Sequence, residues 1–178
     1  MRYALTGSHG VGKTSVINGI EDFLIDKGIT CITNSSKARN IKALGFKIND
    51  KADDITELLI ASNHISNFSS DNWFADRCII DTWAYALWNY GNGLITGKTF
   101  HTIDHLAVKF VTLFDEIFYI PIEFPMVEDG IRVNDEHFRK VIDEKIRSFL
   151  QNYKKDKYHI LSGSIEERVD KIKGIITP

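Results

Sequence analysis

The chain has 178 residues, of which 43% are hydrophobic and 26% charged, and its formal net charge at pH 7 is −2. This length corresponds to about one domain with a single substantial core. The near balance of charge excludes a global positive field of the kind that attracts nucleic acid or anionic membranes, although a local basic patch remains compatible with it. No apolar run approaches the roughly 20 residues of a membrane span, and the first predicted strand begins too early to leave room for a signal peptide.

The two cysteines, Cys31 and Cys78, both fall in segments predicted to be buried strands. In such positions a cysteine usually serves as a small core residue rather than as half of a disulfide or a metal site. We therefore expect a protein of a reducing, cytoplasmic compartment without a membrane partner.

Short apolar strands alternate with amphipathic helices along the chain. The predicted strands are residues 3–6, 29–33, 73–75, 117–120 and 158–161. The predicted helices run from Lys13 to a stop at Gly28, then over 55–68, 79–88, about 104–114, a segment after 136, and 165–176. A polar, basic stretch covers 35–54, and a polar loop covers 123–136. This order predicts a single α/β domain over 1–178, with a doubly wound parallel sheet and ligands at the carboxyl ends of the strands.

The segment GSHGVGKT, residues 7–14, follows the first strand and fits the phosphate-binding pattern G-x-x-x-x-G-K-[ST] at every fixed position. Its glycines allow a tight turn whose N–H groups point at phosphate oxygens, at the positive end of the following helix. Lys13 is predicted to reach the β- and γ-phosphates, and the Thr14 hydroxyl to ligate Mg²⁺. His9 is expected to face either the γ-phosphate or the acceptor. The predicted nucleotide-binding residues are Gly7, Ser8, His9, Gly10, Val11, Gly12, Lys13, Thr14 and Ser15.

Asp76 and Arg77 follow the third strand. The aspartate is placed to hold Mg²⁺ directly or through water, and the arginine to grip a phosphate with two hydrogen bonds. The alternative is an ordinary surface ion pair. Asp81 either stabilises the start of a helix or orients Arg77 or the substrate. Tyr85, together with Trp83 and Trp88, forms either the wall of a base-sized pocket or plain core.

Phosphoryl transfer requires positive charge over the transferred group, which mobile lid arginines often supply. Arg132 and Arg139 lie in and after the polar loop, so a lid-like segment is predicted over about 123–139. Arg139 has an alternative partner in Asp135 or Asp143, each four residues away.

These motifs together resemble the P-loop kinase-like family of the NadR/AAA_28 type, which is related to nucleoside and nucleoside monophosphate kinases and has many phage and bacterial members. The resemblance covers nearly the whole chain. It implies a P-loop NTPase fold with five parallel strands in the order 2-3-1-4-5, ATP or GTP with Mg²⁺, and a nucleoside-like acceptor such as a nucleoside, its monophosphate or nicotinamide riboside. It also implies that Lys13, Asp76, Arg77, Arg132 and Arg139 take part in catalysis, that Thr14 and Asp76 hold Mg²⁺, and that residues 162–164 border the adenine.

One departure from that family concerns the general base. Members carry an acid in E-x-A-R past the second strand, whereas this chain has Ser36-Lys37-Ala38-Arg39. An ordinary serine cannot deprotonate an acceptor hydroxyl. Either Asp76 or Asp81 acts as the base, or the acceptor is a phosphate that needs none, or the substrate differs.

The predicted acceptor site comprises Ser36, Lys37, Arg39, Asp81 and Tyr85. Its two cations suit an acceptor that already carries phosphate, including a hydroxymethylated pyrimidine within phage DNA. Two other hypotheses remain: a regulatory ATP- or GTP-binding module that acts as a switch, and, less favoured in so short a chain, an oligomeric ATPase motor.

Overall fold

In the computed structural model, a five-stranded parallel sheet carries helices on both faces. The structure describes residues 1–125, 135–154 and 157–176, except for the side chain of Ser36. The strands are β1 (Arg2–Thr6), β2 (Thr30–Ile32), β3 (Trp73–Ala75), β4 (Glu116–Tyr119) and β5 (Tyr158–Ile160). The described helices are α1 (Lys13–Asp26), α2 (Asn34–Ala43), α3 (Asp54–Ser66), α4 (Ile79–Gly91), α5 (Gly97–Val111), α6 (Glu136–Tyr153) and α7 (Ile165–Ile176). Short 3-10 turns cover Asn49–Lys51 and Asn67–Ser69.

The sheet has the order β2-β3-β1-β4-β5, with all neighbouring strands parallel. The predicted order is therefore confirmed. β1 is the central strand, and Ala4 pairs with Ala75 of β3 on one side and with Ile117 of β4 on the other. A central parallel strand must be buried on both faces, and residues 3–6 are all buried.

Alternate side chains of β1 enter two different cores, as the two-residue period of a strand requires. Tyr3 and Leu5 pack with residues of α1 and α7. Ala4 belongs to the larger core on the other face, which α4, α5 and α6 supply. The two layers hold the carboxyl end of β1, where the glycine-rich loop begins, between the two groups of helices.

Three local predictions differ from the structure. The polar stretch after β2 forms helix α2 instead of remaining irregular. Helix α5 begins at Gly97, well before the expected start near residue 104, because the Thr96 side chain caps it by accepting a hydrogen bond from the Thr99 N–H. Cys78 caps the start of α4 and does not lie in a strand, although it is buried. Both cysteines are free thiols.

Within the described part of the chain, no helix is both long enough and apolar enough to cross a membrane.

Gly7 marks the point where β1 ends and the loop turns away. Its φ is +146°, and a Cβ added there would lie 2.5 Å from the carbonyl oxygen of Ile120. That oxygen belongs to the backbone directly after β4, so it cannot move without disturbing the sheet. Only glycine fits at this position.

We expect Gly7→Ala to lower the free energy of unfolding by roughly 1 to 3 kcal/mol through backbone strain and to weaken nucleotide binding. Chemical denaturation and nucleotide titration would measure the two effects. Gly91→Ala is the matched control, because a Cβ there meets nothing within 4 Å. Equal stability of the two variants would contradict the steric explanation.

Candidate active site

The loop between β1 and α1 has the backbone geometry of a phosphate cradle. Gly10 and Gly12 have φ values of +71° and +91°, in the left-handed region that glycine tolerates best. Gly12 is the residue that precedes the first turn of α1, and no side chain caps that helix start. Backbone N–H groups and the helix dipole at such a helix start are the features that bind phosphate.

Lys13 is buried beneath this loop. Its Nζ donates to the carbonyl oxygens of Gly7 and Ser8, each at 2.6 Å. The ammonium group is thus held at the cradle by the loop's own backbone.

Arg139 holds the next two carbonyl groups. Its Nε donates to the His9 oxygen at 3.0 Å and its Nη2 to the Gly10 oxygen at 3.2 Å. The remaining Nη1 donates to the Phe124 carbonyl at 2.9 Å and pairs with Glu136 at 3.0 Å. The side chain is fully buried. Its ion pair is with Glu136, three residues earlier on the same helix, and not with Asp135 or Asp143.

Arg168, from α7, completes the set and was not singled out from the sequence. Its Nη1 donates to the Val11 oxygen at 2.9 Å, and its Nη2 pairs with Glu123 at 2.6 Å. The Glu123 carboxylate also accepts a hydrogen bond from the Gly163 N–H at 3.0 Å. Arg168 therefore joins the phosphate loop to the loop after β5. No sequence motif marks it, because its partners, a backbone carbonyl and a carboxylate, are distant in the chain.

Asp76 lies at the carboxyl end of β3 and is buried. Its carboxylate accepts hydrogen bonds from the Ser35 N–H, at 3.1 Å, and from the Ser35 hydroxyl. Ser35 is in the first turn of α2, so the carboxylate also faces the positive end of that helix. Ser35, which contacts the acid, lies one residue before the position that the family pattern emphasises.

Arg77 is oriented by Asp81, as one of the two hypotheses for that residue expects. The Arg77 Nη1 donates to Asp81 Oδ1 at 3.2 Å. The other oxygen, Oδ2, accepts from the Thr6 hydroxyl at 2.9 Å and from the Cys78 N–H at 3.0 Å. Asp81 is buried and is engaged through both oxygens, so it also stabilises the start of α4.

Tyr85 and His9 form a polar contact beside the loop. The Tyr85 hydroxyl and His9 Nδ1 lie 3.2 Å apart, and burial raises the pKa of the Tyr85 phenol. The two tryptophans belong to the packing instead. Trp83 donates a hydrogen bond to Asp104 and packs on Phe149, and Trp88 packs edge-on against Phe138.

A cavity of about 640 Å³ joins these groups. Its lining combines the loop residues 9–15, the polar residues Ser35, Asp76, Arg77 and Asp81, the rim residue Arg39, and Gly163 and Ser164 from the loop after β5. A wall from α3 and α4 adds Glu57, Ile60, His64, Thr82 and Tyr85. The cavity is larger than a triphosphate requires and falls within the usual range for small-molecule sites.

Some predicted residues lie elsewhere. Lys37 turns toward α3, where its Nζ donates to Asn67 Oδ1 at 2.9 Å and to the Asn63 carbonyl at 3.4 Å. Burial lowers the pKa of its ammonium group. Arg132 and the side chain of Ser36 lie outside the described part of the structure.

The residues present fit a nucleotide with Mg²⁺. The Thr14 hydroxyl and the Asp76 carboxylate both line the cavity beside the phosphate loop, and both supply the hard oxygen ligands that Mg²⁺ prefers. Among the described residues, no group of three or more His, Cys, Asp or Glu side chains could hold a metal ion. Magnesium in kinase sites is held by one or two protein oxygens together with phosphates and water, so two such ligands suffice.

Sequence reasoning also missed two buried groups in the α3 wall. Glu57 is 1% exposed, and burial raises the pKa of its carboxyl from 4.5 to about 8. His64 shares a hydrogen bond of 2.8 Å with the Thr82 hydroxyl, and burial lowers the pKa of its imidazole to about 3. Both groups are therefore uncharged at neutral pH.

Comparison with known structures places the chain in the P-loop kinase fold. Deoxyadenosine kinase from M. mycoides, with the products dCMP and dCDP bound, superposes with a TM-score of 0.67 at 14% identity over 99% of this chain and 98% of that chain. The NadR protein in complex with NR superposes with a TM-score of 0.72 at 16% identity over 99% of this chain and 50% of that chain.

The chain belongs to the AAA_28 family, described as an AAA domain, whose model matches residues 2–168. In sequence it is 31% identical over 126 residues to a thymidylate kinase from Psychrobacter sp. (strain PRwf-1). That match spans 62% of this chain and 60% of the relative's length. The predicted relationship to nucleoside and nucleotide kinases is confirmed at the level of family and fold.

We expect Arg139→Lys to lower the free energy of unfolding by roughly 2 to 4 kcal/mol and to weaken nucleotide binding, because a compact ammonium group with three donors cannot replace the four contacts that the planar guanidinium makes in different directions. Thermal denaturation and titration with an ATP analogue would measure this. The control is Arg147→Lys, an exposed arginine on the same helix. A variant of normal stability that lost only the rate of transfer would indicate the lid role instead.

The raised pKa of Glu57 makes stability depend on pH. Between its unfolded pKa of 4.5 and its folded pKa of about 8, the folded protein retains a proton that the unfolded chain releases, so stability falls as pH rises through this window. Each pKa unit corresponds to about 1.4 kcal/mol.

Glu57→Gln removes this titration, so its stability relative to the wild type should increase steadily from about pH 5 to about pH 9. Urea denaturation across this range would measure the difference. Glu144→Gln, at an exposed site, should give a nearly constant difference. A constant difference for Glu57→Gln as well would show that Glu57 is ionised in the folded protein.

Proposed function

We propose that this protein is a Mg²⁺-dependent P-loop kinase that transfers the γ-phosphate of ATP to a nucleoside or a nucleoside monophosphate. The observation that carries the proposal is the composition of the cavity. One continuous space is bordered by the phosphate loop, by Asp76 and Arg77, and by a separate wall from α3 and α4. A site built only to hold one nucleotide does not need that second wall. The similarity to a thymidylate kinase supports a nucleotide-type acceptor.

The phosphate loop binds the triphosphate through its N–H groups, and Lys13 supplies positive charge at the β- and γ-phosphates. Thr14 and Asp76 hold Mg²⁺, which neutralises charge on the phosphate oxygens. Gly163 and Ser164, which also line the cavity, border the adenine. Arg139 and Arg168 act as positioning residues, because their guanidinium groups are engaged by backbone carbonyls of the loop.

Arg77 faces the cavity and contacts the transferred phosphate or the acceptor. Its orientation depends on Asp81, whose two oxygens already accept hydrogen bonds from Arg77, Thr6 and Cys78. The Asp81 carboxylate is already engaged by these three donors, so we assign it a positioning role and not that of the base.

The lack of the family's acid after β2 is compatible with this scheme. The transition state of phosphoryl transfer is loose, so positioning and charge contribute most of the rate. A monophosphate acceptor requires no deprotonation, and Arg39 at the cavity rim suits such a substrate.

The test is transfer from [γ-³²P]ATP, with and without Mg²⁺, to nucleosides, their monophosphates, nicotinamide riboside, and DNA that carries hydroxymethylated pyrimidines. We expect a labelled nucleotide product that depends on Mg²⁺. Lys13→Ala and Arg77→Ala should each lower kcat/KM by about 100-fold or more, with the fold intact by circular dichroism.

Lys47→Ala, at an exposed position outside the cavity, is the control. Labelled orthophosphate as the sole product would favour an ATPase or a switch. Labelled DNA as the sole product would move the acceptor from the free nucleotide to the polymer. Unchanged transfer in Arg77→Ala would show that the acceptor site has been assigned to the wrong residue.

A further inference from the structure

A carboxyl group is buried in the wall of the cavity between α3 and α4. Glu57 lines the cavity although only 1% of the residue is exposed. Ile60 and His64, three and seven residues later, lie on the same face of α3 and line the cavity too. Tyr85 borders it from α4 and Phe138 from α6. Apolar and aromatic groups around one polar atom are the usual surroundings of a heterocyclic ring in a binding site.

Asn89 determines which oxygen of Glu57 carries the proton. The Asn89 Nδ2 donates both to Glu57 Oε1 and to the backbone oxygen of Asn49, each at 2.8 Å. A carbonyl oxygen can only accept, so the Asn49 contact fixes the amide nitrogen on this side. Glu57 Oε1 must therefore accept, and the proton of the neutral carboxyl group lies on Oε2.

The Oε2 atom is buried and has no hydrogen-bond partner in the described part of the protein. Leaving a buried hydroxyl donor without a partner is costly, so such groups are rare unless they have another role. Two nearby titratable groups act on this carboxyl. Asp53, which caps α3, disfavours its ionised form, and Tyr85 of α4 interacts with it electrostatically.

We propose that Glu57 selects the acceptor's ring by donating a hydrogen bond from Oε2 to a carbonyl oxygen or an unprotonated nitrogen at the ring edge. The inference rests on the proposed phosphotransfer and extends it to acceptor specificity. A ring that presents only C–H groups at this point leaves the donor unpaired, and sites built around a hydrogen bond reject such analogues strongly.

The experiment compares the best acceptor from the transfer screen with analogues that each lack one ring heteroatom. Each is assayed with the wild type, Glu57→Gln and Glu57→Met. Glutamine retains a donor, since its NH₂ replaces the O–H while its oxygen accepts from Asn89. Methionine has a similar volume and no donor. Glu144→Gln again serves as the exposed control.

For the wild type, one analogue should lose about 10-fold or more in kcat/KM. With the intact acceptor, kcat/KM of Glu57→Met should fall by a similar factor. This variant should also give equal kcat/KM values for the intact acceptor and for that analogue. The KM for ATP should not change. Acceptor kcat/KM of the wild type should fall above about pH 8 as Glu57 ionises, whereas that of Glu57→Gln should stay level.

An unchanged acceptor KM in Glu57→Met would overturn the assignment. It would also be overturned if Glu57→Gln lost as much acceptor kcat/KM as Glu57→Met, because the carboxylate itself, and not a hydrogen-bond donor, would then be required. If Glu57→Met does not fold, the wild-type analogue series and the pH profile of Glu57→Gln decide the question. The failure of the wild type to phosphorylate any acceptor is a different result, which overturns the proposed function.

Discussion

Three buried cations hold the backbone oxygens of five consecutive residues, from Gly7 to Val11. Lys13 binds the first two, Arg139 the next two and Arg168 the last. The carbonyl oxygens of these peptides point toward the cations, so the N–H groups of the same peptides point the other way and can bind a phosphate. This is the arrangement that binds anions at such loops. The cost of burying three charges is offset by hydrogen bonds to strongly polar carbonyls.

This arrangement explains the position of the surrounding elements. Arg139 comes from α6 and Arg168 from α7, so the helices that follow β4 and β5 are both attached to the loop that follows β1. Glu123 extends the connection, since it binds both Arg168 and the Gly163 N–H. The phosphate loop and the loop after β5 are therefore parts of one hydrogen-bonded unit. The wall of the cavity that α3 supplies is built differently, since its buried groups Glu57 and His64 are neutral.

Much of the fold follows from local sequence. The β3 and α7 boundaries match the prediction closely, and the strand order 2-3-1-4-5 is that of the family the chain resembles. Alternation of short apolar strands with amphipathic helices leaves few other topologies. One helix was not predicted because its sequence is strongly polar. Segment 34–43 lacks a long apolar stripe, and it is helical because its first turn binds Asp76 and its side packs on α3.

The sequence by itself determined the phosphate loop. This loop requires only a fixed glycine spacing, one lysine, and a strand followed by a helix, and all of these lie within one short segment of the chain. It also placed Asp76 and Arg77 at the end of the third strand and Asp81 near the start of the next helix. Only the tertiary structure decided what the arginines bind and which groups of α3 and α4 line the cavity. Arg139 and Arg168 bind backbone oxygens. Every residue type has such an oxygen, so no sequence pattern indicates these contacts. Glu57 has an unusual proton affinity only because folding removes it from water, and α3 carries no local sign of that burial.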